Sequence, residues 1–180
     1  LLDDRFTTYN YVASDIRIQN ILNDLKLDDI DSKIPDDRPD LTIFFSNNPD
    51  IYNRGLKAVI VEIKPFDYQS KPSRKKMAGI QQLIDYAQEF KKSENVEEIH
   101  CYLVTEIDDD FEERLLNDGY KRMFSIENSI YSRFYERVGI SISVLSANSI
   151  IKDAEARNKH FLDIIKRQSV INEYLSVDNL

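Results

Sequence analysis

Glu62 and Lys64 stand two residues apart in an otherwise apolar run, Lys57-Ala58-Val59-Ile60-Val61-Glu62-Ile63-Lys64. Asp40 opens the preceding apolar run, Leu41-Thr42-Ile43-Phe44-Phe45. Two carboxylates brought together make an oxygen site for a hard divalent cation. A lysine beside them can hold a water or neutralise an incoming phosphate. Those parts suit hydrolysis of a phosphodiester, in which a metal activates water and stabilises charge while the lysine assists. Singly, each residue has a plainer explanation: Asp40 as a turn aspartate, Glu62 and Lys64 as an ion pair on a solvated sheet face. Their joint placement is what points to chemistry.

Both runs are rich in β-branched and aromatic residues, bounded by Asn, Pro and Gly, and read as strands. A strand repeats every two residues, so Glu62 and Lys64 share one side with Ala58 and Ile60, opposite Val59, Val61 and Ile63. Unpaired charge in such a strand is costly to bury, so a metal, a partner charge or water must compensate it. Ser46 to Leu56, with Asn47, Asn48, Pro49 and Gly55, reads as a long hairpin loop, and pairing across it would bring Asp40 near Glu62.

The remaining elements follow from apolar periodicity. Upstream, Val12 to Leu25 reads as a helix with Ile18, Ile21, Leu22 and Leu25 on one face, followed by an Asp-rich loop over Asp28 to Arg38. Downstream, Lys75 to Lys92 reads as a helix on the stripe Met77, Ile80, Ile84 and Ala87, widened by Leu83 and Phe90. Ile99 to Ile107 has the apolar character of a central strand, Asp108 to Asn117 that of a short helix ended by Gly119, and Ile140 to Val144 that of a strand with one wetter face. Ser149 to Gln168 reads as a last helix carrying Ile151, Ala154, Asn158, Phe161 and Ile165 on one stripe. The order predicts an α/β (α+β) domain, a central mixed sheet flanked by helices.

Two further features sit near the proposed site. Gln82 and Tyr86 are spaced i, i+4 on the helix after Lys64 and share a face. Lys71-Pro72-Ser73-Arg74-Lys75-Lys76 places four positive charges in six residues just before them, a cluster able to contact phosphates without reading bases.

Arg38-Pro39-Asp40 together with Val61-Glu62-Ile63-Lys64 resembles the motif of the PD-(D/E)XK nuclease superfamily. The resemblance implies a restriction-endonuclease-like fold with the motif on a β-hairpin. It further implies that Asp40, Glu62 and the main-chain carbonyl of Ile63 bind Mg2+ or Mn2+, and that Lys64 positions the attacking water. Gln82-Leu83-Ile84-Asp85-Tyr86 resembles the Gln-x-x-x-Tyr helix of RecB-like members, whose glutamine and tyrosine help place substrate. Val-Glu-Ile-Lys-Pro, followed by a basic loop and a glutamine-bearing helix, is also similar to Shedu-type antiphage nucleases. The resemblance spans roughly residues 10 to 107. Many relatives carry a glutamate on the first helix; this chain has none before Glu62, and Asp15, ahead of Asp24, is the nearest substitute.

Composition narrows the alternatives. One cysteine, Cys101, rules out an internal disulfide and any cysteine-rich zinc site, and the two histidines, His100 and His160, are too far apart for a zincin-type helix. A metal here must rest on carboxylates, which favour Mg2+ or Mn2+. His100 reads as a packing residue of a central strand and His160 as a boundary residue of the last helix. With 24 basic against 32 acidic residues the net charge is −8, which argues against indiscriminate coating of nucleic acid but not against a local basic patch.

No stretch is long and apolar enough to span a bilayer and no signal-peptide pattern is present. The sequence thus points to a cytoplasmic Mg- or Mn-dependent deoxyribonuclease acting on DNA, as the effector of a defence or DNA-processing protein. The alternative is an inactive nucleic-acid-binding or oligomerisation module of the same fold. The nuclease-like domain is expected over 1–168 with a tail over 169–180. The chain opens Leu1-Leu2 without methionine and is read as a fragment of a longer protein carrying another domain.

Overall fold

The β2–β3 pairing is the frame on which the rest is built. The computed structural model describes residues 11–27, 32–46, 55–64, 72–125 and 129–177. Within them, β2 (Leu41–Ser46) pairs antiparallel with β3 (Leu56–Lys64), Leu41 opposite Val61 and Phe44 opposite Ala58. The residues expected to turn between these strands, 47–54, lie outside the described residues, as do 28–31 of the Asp-rich loop.

Among the described residues the sheet has seven strands. β1 (Tyr11–Ala13) lies antiparallel on the outer side of β2, and β4 (Val96–Thr105) and β7 (Ile140–Leu145) continue parallel from β3. β6 (Ile130–Tyr135) and β5 (Lys121–Met123) close the sheet antiparallel, giving the order β1-β2-β3-β4-β7-β6-β5. Helices α1 (Ile18–Asp24), α2 (Pro72–Phe90), α3 (Asp109–Asn117) and α4 (Ala147–Val177) complete the described elements. This is an α+β arrangement, a mixed open sheet flanked by helices.

Several expectations are corrected. Val12 and Ala13 belong to β1 and not to the first helix, because their backbone pairs with Ile43 and Thr42 on β2. The strands β5 and β6 were not foreseen: β5 is three exposed residues at the sheet edge, with no apolar alternation to mark it. The first turn of α2 takes in Ser73 and Arg74, which the sequence reading placed in a loop, and α4 runs past Gln168 to Val177.

Alternation along the strands decides what faces the helices. Ala58 and Ile60 of β3, Ile99, Cys101 and Leu103 of β4, and Ile140, Ile142 and Val144 of β7 lie side by side in register, all buried. They share one core with Ile18, Ile21 and Leu22 of α1, Leu83, Tyr86, Ala87 and Phe90 of α2, and Phe111 and Leu115 of α3. Phe44 of β2 meets Phe90 edge-on at 5.2 Å. The buried side of α2 is thus rotated toward Leu83 and Tyr86, with Met77 and Ile84 at its margin. On the opposite sheet face Val61, His100, Tyr102 and Ser143 are half-exposed and Ile63 is 53% exposed.

Local chemistry ends α3 cleanly. Asp108 caps its N-terminus by accepting the Phe111 N–H at 2.9 Å. Gly119, at φ +84°, turns the chain out, so that Tyr120 N–H reaches Leu115 O and Gly119 N–H reaches Leu116 O, the paired closure of a Schellman motif.

Phe44→Ala removes a fully buried ring from the junction of β2, α1 and α2. It is expected to cost about 3–5 kcal/mol, measured as a shift in the urea midpoint at unchanged m-value.

Candidate functional site

Extending the β2–β3 register by one step sets Asp40 opposite Glu62. Directly opposed residues of an antiparallel pair project to the same face. Asp40 is fixed there by its neighbours: its Oδ2 accepts the Ile63 N–H at 2.6 Å, and its carbonyl accepts the Ser14 hydroxyl at 3.0 Å. The strand start is therefore tied to β3 by a side chain as well as by the ladder.

Glu62 shares its face with Ala58 and Ile60, the side covered by α2, and is only 4% exposed. Lys64 Nζ donates to Glu62 Oε1 at 2.5 Å, while Glu62 Oε2 is buried with no hydrogen-bond partner among the described residues. Burial pushes the Glu62 carboxyl above its ordinary value. Lys64 works against that shift by hydrogen bond and charge, Asp40 adds to it by charge, and the Asp40 backbone N–H draws it back. Two carboxylates, one cation and one unfilled carboxylate oxygen thus meet at the C-terminal end of β3. The sequence expectation that Asp40, Glu62 and Lys64 converge agrees with this geometry.

The neighbouring helix supplies the rest of the surroundings. Tyr86 is 2% exposed; burial foremost, then the charge of Glu62, raises its phenol pKa well beyond the ordinary value. Gln82, one turn earlier, is half-buried. Tyr86 therefore lies on the face of α2 near the carboxylates, and Gln82 shares that helix face by its i, i+4 spacing.

The basic run divides. Arg74 and Lys75 are exposed on the first turn of α2, and Lys71 lies outside the described residues. Lys76 is corrected: it is 1% exposed, its Nζ donates to Asp108 Oδ2 at 2.6 Å, and it lies over the Phe111 ring at 5.2 Å. Helical rotation turns it inward, away from Arg74 and Lys75. Burial acts to raise the Asp108 carboxyl, but Lys76 and the Phe111 N–H outweigh it and hold the group below its ordinary value. Lys76 ties α2 to the cap of α3.

Asp15 is also displaced from its expected role. It precedes α1 in a left-handed conformation, φ +53°, and its carboxylate faces Arg38 at 3.8 Å. Asp24 accepts from Tyr11 at 2.8 Å. A cleft of about 400 Å³ beside α1 is lined by Asp15, Arg17, Asn20, Asp24 and Arg38, and not by Asp40 or Glu62. Among the described residues no group of three or more His, Cys, Asp or Glu side chains is placed to hold a metal, so Asp40 and Glu62 stand as a pair.

His100 is not packed in the core. It lies half-buried on the other sheet face, its Nε2 2.7 Å from Glu98 Oε1. The side chain of His160 lies outside the described residues. Cys101 is buried, and burial pushes its thiol up to about 12, which leaves no thiolate for nucleophilic chemistry near neutral pH.

Residues not singled out from sequence also adjoin the carboxylates. Thr42, two residues beyond Asp40, and Thr105, in register with Lys64, each bury a hydroxyl without a partner among the described residues. Gly79 of α2 lies against Lys64. Local sequence carries no mark of any of these, because strand register and helix placement bring them together.

Glu62→Gln tests the burial of the carboxylate. A folded-state pKa raised above 4.5 means that the unfolded chain ionises first, so this group's contribution to stability falls as pH rises from 4.5 through the folded value. Relative to wild type, Glu62→Gln is expected to gain stability steadily across that window in urea titrations at successive pH values. Lys76→Ala should cost about 1–3 kcal/mol through lost packing and the unpaired Asp108, measured as a shift in the urea midpoint. Compared with family models, with curated proteins and with solved structures, the chain matches none.

Proposed function

We propose that this chain is a metal-dependent nuclease domain of restriction-endonuclease-like fold that hydrolyses DNA phosphodiester bonds with Mg2+ or Mn2+. The observation that carries this reading is the buried Oε2 of Glu62, without a partner among the described residues and directly across from Asp40. An orphaned carboxylate oxygen beside a second carboxylate fits a hard divalent cation. The Ile63 carbonyl completes the proposed ligand set. Its N–H points to Asp40, and a strand residue presents its N–H and carbonyl on the same edge. A bound cation would supply a polarised water and stabilise negative charge on the phosphate.

The chain's own residues do the rest. Asp40 and Glu62 hold the cation, and Lys64, already aimed at Glu62, holds the attacking water. Gln82 and Tyr86 orient the substrate from α2, and Arg74 and Lys75 contact flanking phosphates. Effector action in antiphage defence or DNA processing belongs to this reading, as does a cytoplasmic setting.

A second reading is an inactive nucleic-acid-binding or oligomerisation module of the same fold. It is favoured by the two-carboxylate count among the described residues, with Asp15 turned to Arg38.

The test is cleavage of supercoiled plasmid with Mg2+ or Mn2+, with folding checked by circular dichroism. Wild type is expected to cleave, and Glu62→Ala and Lys64→Ala each to lose about 100-fold or more. Undiminished cleavage by both variants would place any activity elsewhere. DNA binding without cleavage by wild type would support the second reading.

A further inference from the structure

Gly79 sits in the middle of α2 with an ordinary helical backbone, so no left-handed conformation calls for glycine there. Mid-helix glycine is less favourable than alanine, and something local must offset that. The surroundings identify it. A Cβ at Gly79 would lie 2.9 Å from Leu103 Cδ1, 3.1 Å from Lys64 Cγ and 3.2 Å from Lys64 Cε.

The two neighbours differ in their freedom to yield. Leu103 Cδ1 is a side-chain tip that can shift slightly, though Leu103 is fully buried and meets the added Cβ whatever stands at 64. Lys64 is held at both ends, by its Cα on β3 and by Nζ on Glu62 Oε1. Its stem is therefore restrained, and it passes closer to a Cβ at 79 than ordinary van der Waals contact allows.

We propose that Gly79 is a positioning residue for the Lys64 ammonium. Its missing side chain is the slot along which the lysine stem lies to reach Glu62. The slot lets α2 approach β3 closely enough to bury the carboxylate while leaving room for its counter-ion. Alanine at 79 forces the stem aside and takes Nζ off Glu62. The consequence for turnover rests on the nuclease reading above; the consequence for Lys64 does not.

The experiment therefore uses two readouts without catalysis and one with it. Lys64 acetylation by acetic anhydride, followed by mass spectrometry, should be several-fold faster in Gly79→Ala than in wild type, with other lysines unchanged. Thermal melts form a cycle with Lys64→Ala. Gly79→Ala should lower Tm more when Lys64 is present than when Lys64 is alanine, since the Leu103 contact is common to both backgrounds and only the Lys64 contact is removed. If wild type cleaves plasmid, Gly79→Ala should reduce kcat about 10–100-fold at unchanged KM.

Unchanged Lys64 labelling in folded Gly79→Ala, or an equal Tm loss in both backgrounds, would overturn the proposal. If Gly79→Ala does not fold alone, its recovery by Lys64→Ala supports the proposal and continued failure overturns it. Absence of cleavage by wild type, with labelling and Tm behaving as stated, would sink the nuclease reading and leave the positioning role standing.

Discussion

A carboxylate taken out of water has to be answered by the protein, and Glu62 is where this fold meets that demand. It projects from a central strand into the face covered by α2, beside alanine, isoleucine and leucine. Lys64 answers one oxygen, and among the described residues nothing answers the other. Lone buried charge is costly, and a pair with one oxygen unmet recovers only part of that cost. The surrounding architecture is arranged about this compromise: β2 fixes Asp40 opposite, α2 encloses the pair, and Gly79 leaves the path by which the ammonium arrives.

The sheet topology explains why the charged residues lie at this end. β3, β4 and β7 run parallel, and their C-terminal ends point the same way. Lys64 ends β3 beside Thr105 at the end of β4, so chemistry-bearing groups gather where the strands stop and the chain turns back. The Lys76–Asp108 pair braces the start of α2 against the start of α3 near that end. It takes a residue that looks like a phosphate contact and makes it structural.

The two faces of the sheet serve different ends. One carries α1, α2 and α3 and the main core cluster; the other buries Phe45, Val59 and Leu145 but presents Val61, Tyr102 and Ser143 half-exposed and Ile63 more open. Glu62 and Lys64 sit on the first and not on the wetter second face. A cross-face ion pair in solvent, the plainer explanation of these two residues, thus conflicts with their burial.

By itself the sequence determined the strand identity of β2 and β3, the shared side of Glu62 and Lys64, and the amphipathic character of α2. These follow from period-two and period-3.6 patterns, which are properties of a few consecutive residues. It also located Asp40 near Glu62, because a hairpin between adjacent strands leaves few registers. What it did not determine was which face of β3 the helices cover, that Lys76 turns inward while Arg74 and Lys75 stay out, or that Asp15 pairs with Arg38. Nor did it show β1, β5 and β6, whose short runs become strands only by bonding to neighbours already in place. Tertiary structure decided these, because burial and strand pairing depend on residues far apart in the chain. Gly79 shows the divide most plainly. In the sequence it is a weak point in a helix, and only the approach of Lys64 makes it a slot.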